Sequence, residues 1–444
     1  MDGVSTMTTI DLTAIEAFSL DKTVKGMPGS LAPTPLRDIG TLGWNVLRED
    51  LPLPLAVMRE SAIAHNSNWM RRYLKATGAD IAPHGKTTMS PQLFARQIED
   101  GAWAITIGSV EQLQVARQFG FQRMLLANQP VGARSQHYIV DELKRDKAFD
   151  FYCLVDSVDL VRQLAAVVRD SGLDRPLQVI LEGGFLGGRT GCRTLEQAMD
   201  VARAIKAAAP YLSLRGVGGY EGLLRKPTAQ ESTQVVEDFL VGLLDIAVGC
   251  DRENLFGEGN ILLTAGGTVF YDLVTRHFSQ AKLSRPHQVV VRCGCYLTHD
   301  SDSYVKHFEQ LRARTPWVDD LGPAPQAALE VWAYVQSRPE PGRAILTVGR
   351  RDISFDSALP TPLKWVRPGP GVTAKALQPF GPDHVVTGLN DQHCYLQIPA
   401  TSPLAVGDMV AFGISHPCTT FDKWQVICVV DDEYNVVSAI RTFF

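Results

Sequence analysis

"IAPHGKTTMSPQLFARQIEDGAWAITIGS", Ile81–Ser109, holds two short β-rich runs, "IAPHGK" and "WAITIGS", and the first closes on a lysine among small residues and a histidine. A lysine is rarely buried without a partner or a task. Moving outward, the same kind of run recurs as "RMLLANQ", "FYCLVDS", "QVILEGG", "LRGVGGYEG", "NILLTAGGT" and "QVVVRCGCYLT". Helical stretches lie between most of them, among them 109–119, 158–171, 195–208 and 230–248. The runs are apolar on both faces, as buried parallel strands are. Eight such runs predict an α/β chain with a closed (β/α)8 TIM-type barrel over residues 62–305.

After the Pro-rich connector "TPWVDDLGPAPQ" the character changes. "LEVWAYVQSR", "RAILTVGRRDIS", "DHVVTGLND", "HCYLQI", "DMVAFGISHPCTT" and "WQVICVV", separated by turn residues, predict a mainly antiparallel β domain. That domain takes residues 306–444 together with 1–61, where "LPLPLAVM" reads as one more of its strands. The chain has 444 residues, 45% hydrophobic and 20% charged, with net charge −5. Such a balance gives no electrostatic basis for nucleic-acid binding. No apolar run reaches the roughly 20 residues that span a bilayer. The start, "MDGVSTMTTIDLTAIEAF", is acidic and unlike a signal peptide. With no export signal, the eight cysteines read as reduced thiols of a cytoplasmic protein.

Barrel enzymes carry their chemistry where strands end, which singles out His84 and Lys86, Asn128, Asp156, Glu182, Tyr220, Gly266–Thr268 and Tyr296. On a strand, Ala82, His84 and Lys86 share a face. If that face lines the barrel, the lysine is partly desolvated. Desolvation disfavours an ammonium, and the neutral amine is the form that attacks a carbonyl. The plain alternative is a strand-end lysine reaching solvent. Pro83 also requires the ladder to start or break there. Gly266, Gly267 and Thr268 stand at a strand-to-helix junction, where free amides and a hydroxyl form an anion site, or simply a turn. His416 and Cys418, two apart, share a strand face and suit Zn²⁺, unless they are a buried thiol beside a core histidine. Cys293 and Cys295 also admit a metal reading, but fit better as small core residues of the last barrel strand. His393 is a minor site candidate.

Taken in order, "APHGKT", "LLANQPVG", "VDS", "EGG", "GRTGC", "GVGGYEG", "LTAGGT", "GCYLTHD" and "HPC" resemble the D-serine dehydratase and D-threonine aldolase family. These are fold-type III pyridoxal-phosphate enzymes with an alanine-racemase-like barrel, and the chain is similar to an "amino acid deaminase"-like member. The resemblance implies pyridoxal 5'-phosphate joined to Lys86, with His84, Arg189 and Tyr220 around it and Gly266, Gly267, Thr268 and Tyr296 near its phosphate. It implies a metal at His416 and Cys418, and a homodimer. The dehydratase-like members carry His-x-Cys and the aldolase-like ones His-x-Asp. Cys418 therefore points to zinc rather than Mn²⁺. The expected activity is dehydration, with deamination, of D-serine- or D-threonine-like 3-hydroxyamino acids to a 2-oxo acid and ammonia. The alternative is aldol cleavage to glycine and an aldehyde; a racemase and a non-catalytic cofactor carrier are more distant rivals. Two departures bear on substrate preference: Thr88-Met89 where the family often has His-Lys, and Gln392 where a Glu often precedes the His at 393.

Overall fold

The structure, a computed structural model, describes residues 10–444; the first nine residues of the acidic start lie outside the described residues. All eight expected runs form parallel strands: Asp80–Ile81, Ile105–Ile107, Arg123–Leu126, Asp150–Val155, Leu177–Glu182, Leu212–Gly218, Ile261–Ala265 and His287–Val291. The last pairs with the first. The first meets the second through the Trp103 amide on the Ile81 carbonyl at 2.8 Å and the Thr106 amide on that of Pro83 at 2.9 Å. The sheet thus closes into a barrel.

Ala82, Ala104, Leu125, Tyr152, Leu154, Ile180, Leu262 and Val290 form an apolar cluster separate from the main core and fill the interior. The barrel is a packed plug rather than a pore. Four of the helices outside begin at a hydroxyl cap. Ser109, Ser157, Thr194 and Thr228 each accept an amide of the first turn. Such a cap satisfies a donor that the helix itself cannot, worth about 1 kcal/mol. The helix Val158–Ser171 then buries Leu160, Val161, Leu164 and Val168, one stripe at helical spacing, and stops at left-handed Gly172.

The second domain is a mainly antiparallel sheet built on the long strand Leu329–Glu340. Leu55–Arg59, from "LPLPLAVM", does join it, antiparallel to Leu329–Glu340 and parallel to Val426–Val430. Thr361–Val366 and Val436–Arg441 are further strands. The helix Ser303–Arg314 runs across the expected boundary at 305/306 and packs on the barrel. Its Arg314 guanidinium binds the buried Asp272 carboxylate with two hydrogen bonds, 2.7 and 2.8 Å. Removing one partner of a buried pair of this kind costs about 3–5 kcal/mol.

Candidate active site

At the C-terminal ends of the barrel strands, under the β domain, is a cavity of about 350 Å³. It brings together His84, Lys86, Arg189, Tyr220, Gly266, Gly267, Thr268, His416 and Cys418. These are all of the residues that the resemblance places at the site except Tyr296. That side chain is buried and borders a small neighbouring hollow instead, beside Trp69 and Tyr271. His393 is exposed on a hairpin turn between Val385–Leu389 and Cys394–Gln397, away from the cavity.

Lys86 does not sit on a strand. The first barrel strand ends at Ile81, Pro83 interrupts the ladder, and Gly85–Thr87 form a 3₁₀ turn that carries Lys86 into the cavity. Lys86 is exposed there, so the dry pocket expected from a strand position is not made by the chain alone. Its neighbour His84 is kept neutral: burial first, then the charges of Lys86, Arg292 and Arg189, hold it well below the ordinary imidazole value. His84 Nδ1 has no partner among the described residues, and neither has Nη1 of Arg292. The other arm of Arg292 donates to the Gly219 carbonyl at 2.6 Å. Arg189 lies over the Tyr220 ring, 4.4 Å from its centroid.

The glycine turn departs from expectation. Glu221, fully buried, accepts the amides of Gly266 and Gly267 at 3.0 and 2.8 Å. Those amides are therefore not free for an anion. Gly266 has φ +98°, which a side chain would resist. The helix begins only at Tyr271, so Thr268 lies on a turn before it. The amides of Thr268 and of Gly294 across the cavity have no partner among the described residues. A cationic rim, unpartnered donors on His84 and Arg292, an aromatic ring and a free lysine suit a flat, anionic aldehyde cofactor, with pyridoxal phosphate as the fitting chemical type.

His416 and Cys418 close the cavity from the β domain. They also lie off any strand: Met409–Gly413 ends three residues before His416, and Pro417 turns the chain so that Cys418 begins the short helix Cys418–Phe421. His416 Nδ1 is 2.6 Å from Oδ2 of Asp356. The other Asp356 oxygen accepts the Thr419 hydroxyl at 2.6 Å. Contact with Cys418, and then with Asp356, raises His416 to about 9, while hydrogen bonding with Cys295 first, and then with His416 and Thr87, pulls the Cys418 thiol down. No three His, Cys, Asp or Glu side chains among the described residues already form a metal cage. The donor set still suits a soft divalent ion: a sulfur, and an imidazole whose Nε2 is left outward by the carboxylate on Nδ1.

The sequence did not point to Arg292 and Tyr304, which line the cavity, or to Asp356, which holds His416. Cys295 was read as core, yet it lines the cavity with its Sγ 3.8 Å from that of Cys418. The "CGC" motif was the one signal that could have found it. Its partner Cys293 is buried, against the Gly267 carbonyl.

Residues 328–430 match the family described as "Putative serine dehydratase domain". The chain is 24% identical over 317 residues to 3-hydroxy-D-aspartate aldolase of Paracoccus denitrificans, covering 70% of this chain and 75% of that protein. Among solved structures, D-threonine aldolase from Filomicrobium marinum superposes with a TM-score of 0.73 at 20% identity, over 93% of this chain and 98% of that one. D-threo-3-hydroxyaspartate dehydratase from Delftia sp. HT23 gives 0.67 at 19%, over 90% and 99%. A cysteine-to-alanine mutant of a D-threo-3-hydroxyaspartate dehydratase is known in a metal-free form. Alanine racemase of Clostridium difficile shares the fold more distantly, with a TM-score of 0.55.

Proposed function

Starting from a chain with the alanine-racemase-like fold, related to D-threonine and 3-hydroxy-D-aspartate aldolases, we propose a pyridoxal-phosphate-dependent lyase. It dehydrates D-3-hydroxyamino acids such as D-serine or D-threonine with the help of zinc. The observation that carries this reading is the convergence on one cavity of Lys86, from the barrel, and the His416–Cys418 pair, from the β domain. Pyridoxal phosphate, when bound, withdraws electrons from the substrate α-carbon. Zinc at the pair would supply Lewis acidity on the substrate's hydroxyl side.

The chain's own residues do the rest. Lys86 Nζ would hold the cofactor, and the same amine would be the base placed to take the substrate's α-proton. Neutral His84 and Arg292 orient the ring system through donors that have no other partner. Asp356 fixes the tautomer and direction of His416. The apolar plug beneath keeps water from entering through the barrel. Loss of the α-proton and the β-hydroxyl leaves an enamine product that hydrolyses to a 2-oxo acid and ammonia.

Cys418 favours dehydration, because a thiolate selects a softer ion than the carboxylate of the aldolase-like pair. The second reading is retro-aldol cleavage, which the names of the aldolase relatives support. Product analysis with D-serine and D-threonine separates them: pyruvate or 2-oxobutyrate with ammonia is expected, whereas glycine plus an aldehyde would replace this reading by the aldolase. We also propose a cytoplasmic homodimer; no helix among the described residues is long and apolar enough to cross a membrane.

A further inference from the structure

We propose that Cys295 is a second sulfur ligand of the metal centre, so that the ion is held by Cys295, Cys418 and His416 with one position left for substrate. This rests on reading His416 and Cys418 as a metal pair. Of the eight cysteines, only Cys295 and Cys418 line the cavity; the other six are buried elsewhere. Their sulfurs approach from different domains and stand 3.8 Å apart. Two zinc–sulfur bonds of about 2.3 Å, opened to a tetrahedral angle, span roughly 3.8 Å.

The placement of Cys295 is enforced by its surroundings. A Cβ on Gly294 would lie 2.4 Å from Thr87 Oγ1 and 2.8 Å from the His84 carbonyl, so only glycine lets this segment press against the Lys86 turn. The Cys295 amide is held by Thr268 Oγ1 at 3.3 Å. Thr87 Oγ1 lies 3.5 Å from Cys418 Sγ and 3.8 Å from Cys295 Sγ, a hydroxyl shared by both sulfurs. With the two sulfurs already 3.8 Å apart, closing the cage that three donors do not yet form among the described residues falls to His416. Two sulfurs, one imidazole and one open position form a donor set known in catalytic zinc sites. The ion would then tie the barrel rim to the β domain.

The test is zinc X-ray absorption on the cofactor-loaded enzyme and on Cys295→Ala, with zinc affinity measured by chelator competition. Two sulfur neighbours are expected in the native protein and one in the variant, with affinity lower by at least about tenfold. Cys295→Ser serves the same purpose if alanine impairs folding, which cofactor uptake and thermal unfolding monitor. A one-sulfur shell in the native protein, or an unchanged shell and affinity in the variant, overturns the inference alone. Native zinc uptake no better than that of His416→Ala overturns the metal pair itself, and this inference with it.

Discussion

Lys86 and His416 face one cavity from two domains, and they are held there by different means. The Lys86 rim is backbone architecture. A strand end, a proline that breaks the ladder and a one-turn 3₁₀ segment place the lysine, above a filled barrel interior. The His416 rim is held by side chains: Asp356 fixes His416, Thr419 fixes Asp356, and Thr87 and Cys295 flank Cys418. The first arrangement is robust to losing any one ligand, and the second depends on its hydrogen-bond partners and its ion. Cofactor binding should therefore outlast metal binding when either rim is perturbed.

The largest effect is expected on the barrel side. Lys86→Ala should lower turnover by about 10³-fold or more, since both the covalent anchor and the base are lost. Thermal unfolding should barely change, because the side chain is exposed, and borohydride should no longer fix pyridoxal phosphate to the chain. Activity near that of the native enzyme would remove Lys86 from the mechanism.

Next comes the metal side. Asp356→Asn keeps the shape but weakens the hold on His416, and zinc affinity should fall by about 10–100-fold. Cofactor colour should be unaffected. If colour and zinc fell together, the two rims would not be separable as argued. Cys418→Asp should weaken zinc and shift preference toward Mn²⁺, measured by competition between the two ions.

A third variant probes the glycine turn. A Cβ at Gly267 would stand 3.1 Å from Tyr220 Cε2, and Gly267→Glu would add a second carboxylate beside Glu221. Cofactor retention in dialysis should drop before stability does. Unchanged retention would place the phosphate away from this turn, toward Gly294.

The smallest effect concerns the joint between the rims. His299 is buried, and burial lowers it to about 4. A histidine held neutral in the fold stabilises it fully above its unfolded value near 6.5, and that stability is lost as pH falls toward 4. The loss amounts to about 3 kcal/mol at most. His299→Gln should flatten the fall of Tm over that window; an identical pH profile would contradict it.

The barrel was legible because eight apolar runs between helical stretches admit few other folds, and the stretch expected at 158–171 is the helix observed, between Ser157 and Gly172. Thr361–Val366 escaped because Pro362 reads as a turn residue. Lys86 and the His416–Cys418 pair were identified by chemistry but put on strands, although one ladder ends before Pro83 and the other at Gly413. Asp356 lies sixty residues before His416 in the sequence, so only folding brings them together. Cys295 was dismissed as core because a small thiol after an apolar strand usually is core. Nothing in "AGGT" revealed that Glu221 occupies its amides.

One experiment tests the separation of the rims and the proposed reaction together. The purified enzyme is stripped with a chelator, and its cofactor colour and its pyruvate production from D-serine are recorded before stripping, after it, and after adding zinc. A protein that stays yellow, loses pyruvate formation and regains it with zinc is the predicted result. Full pyruvate formation by rigorously metal-free enzyme would contradict the account.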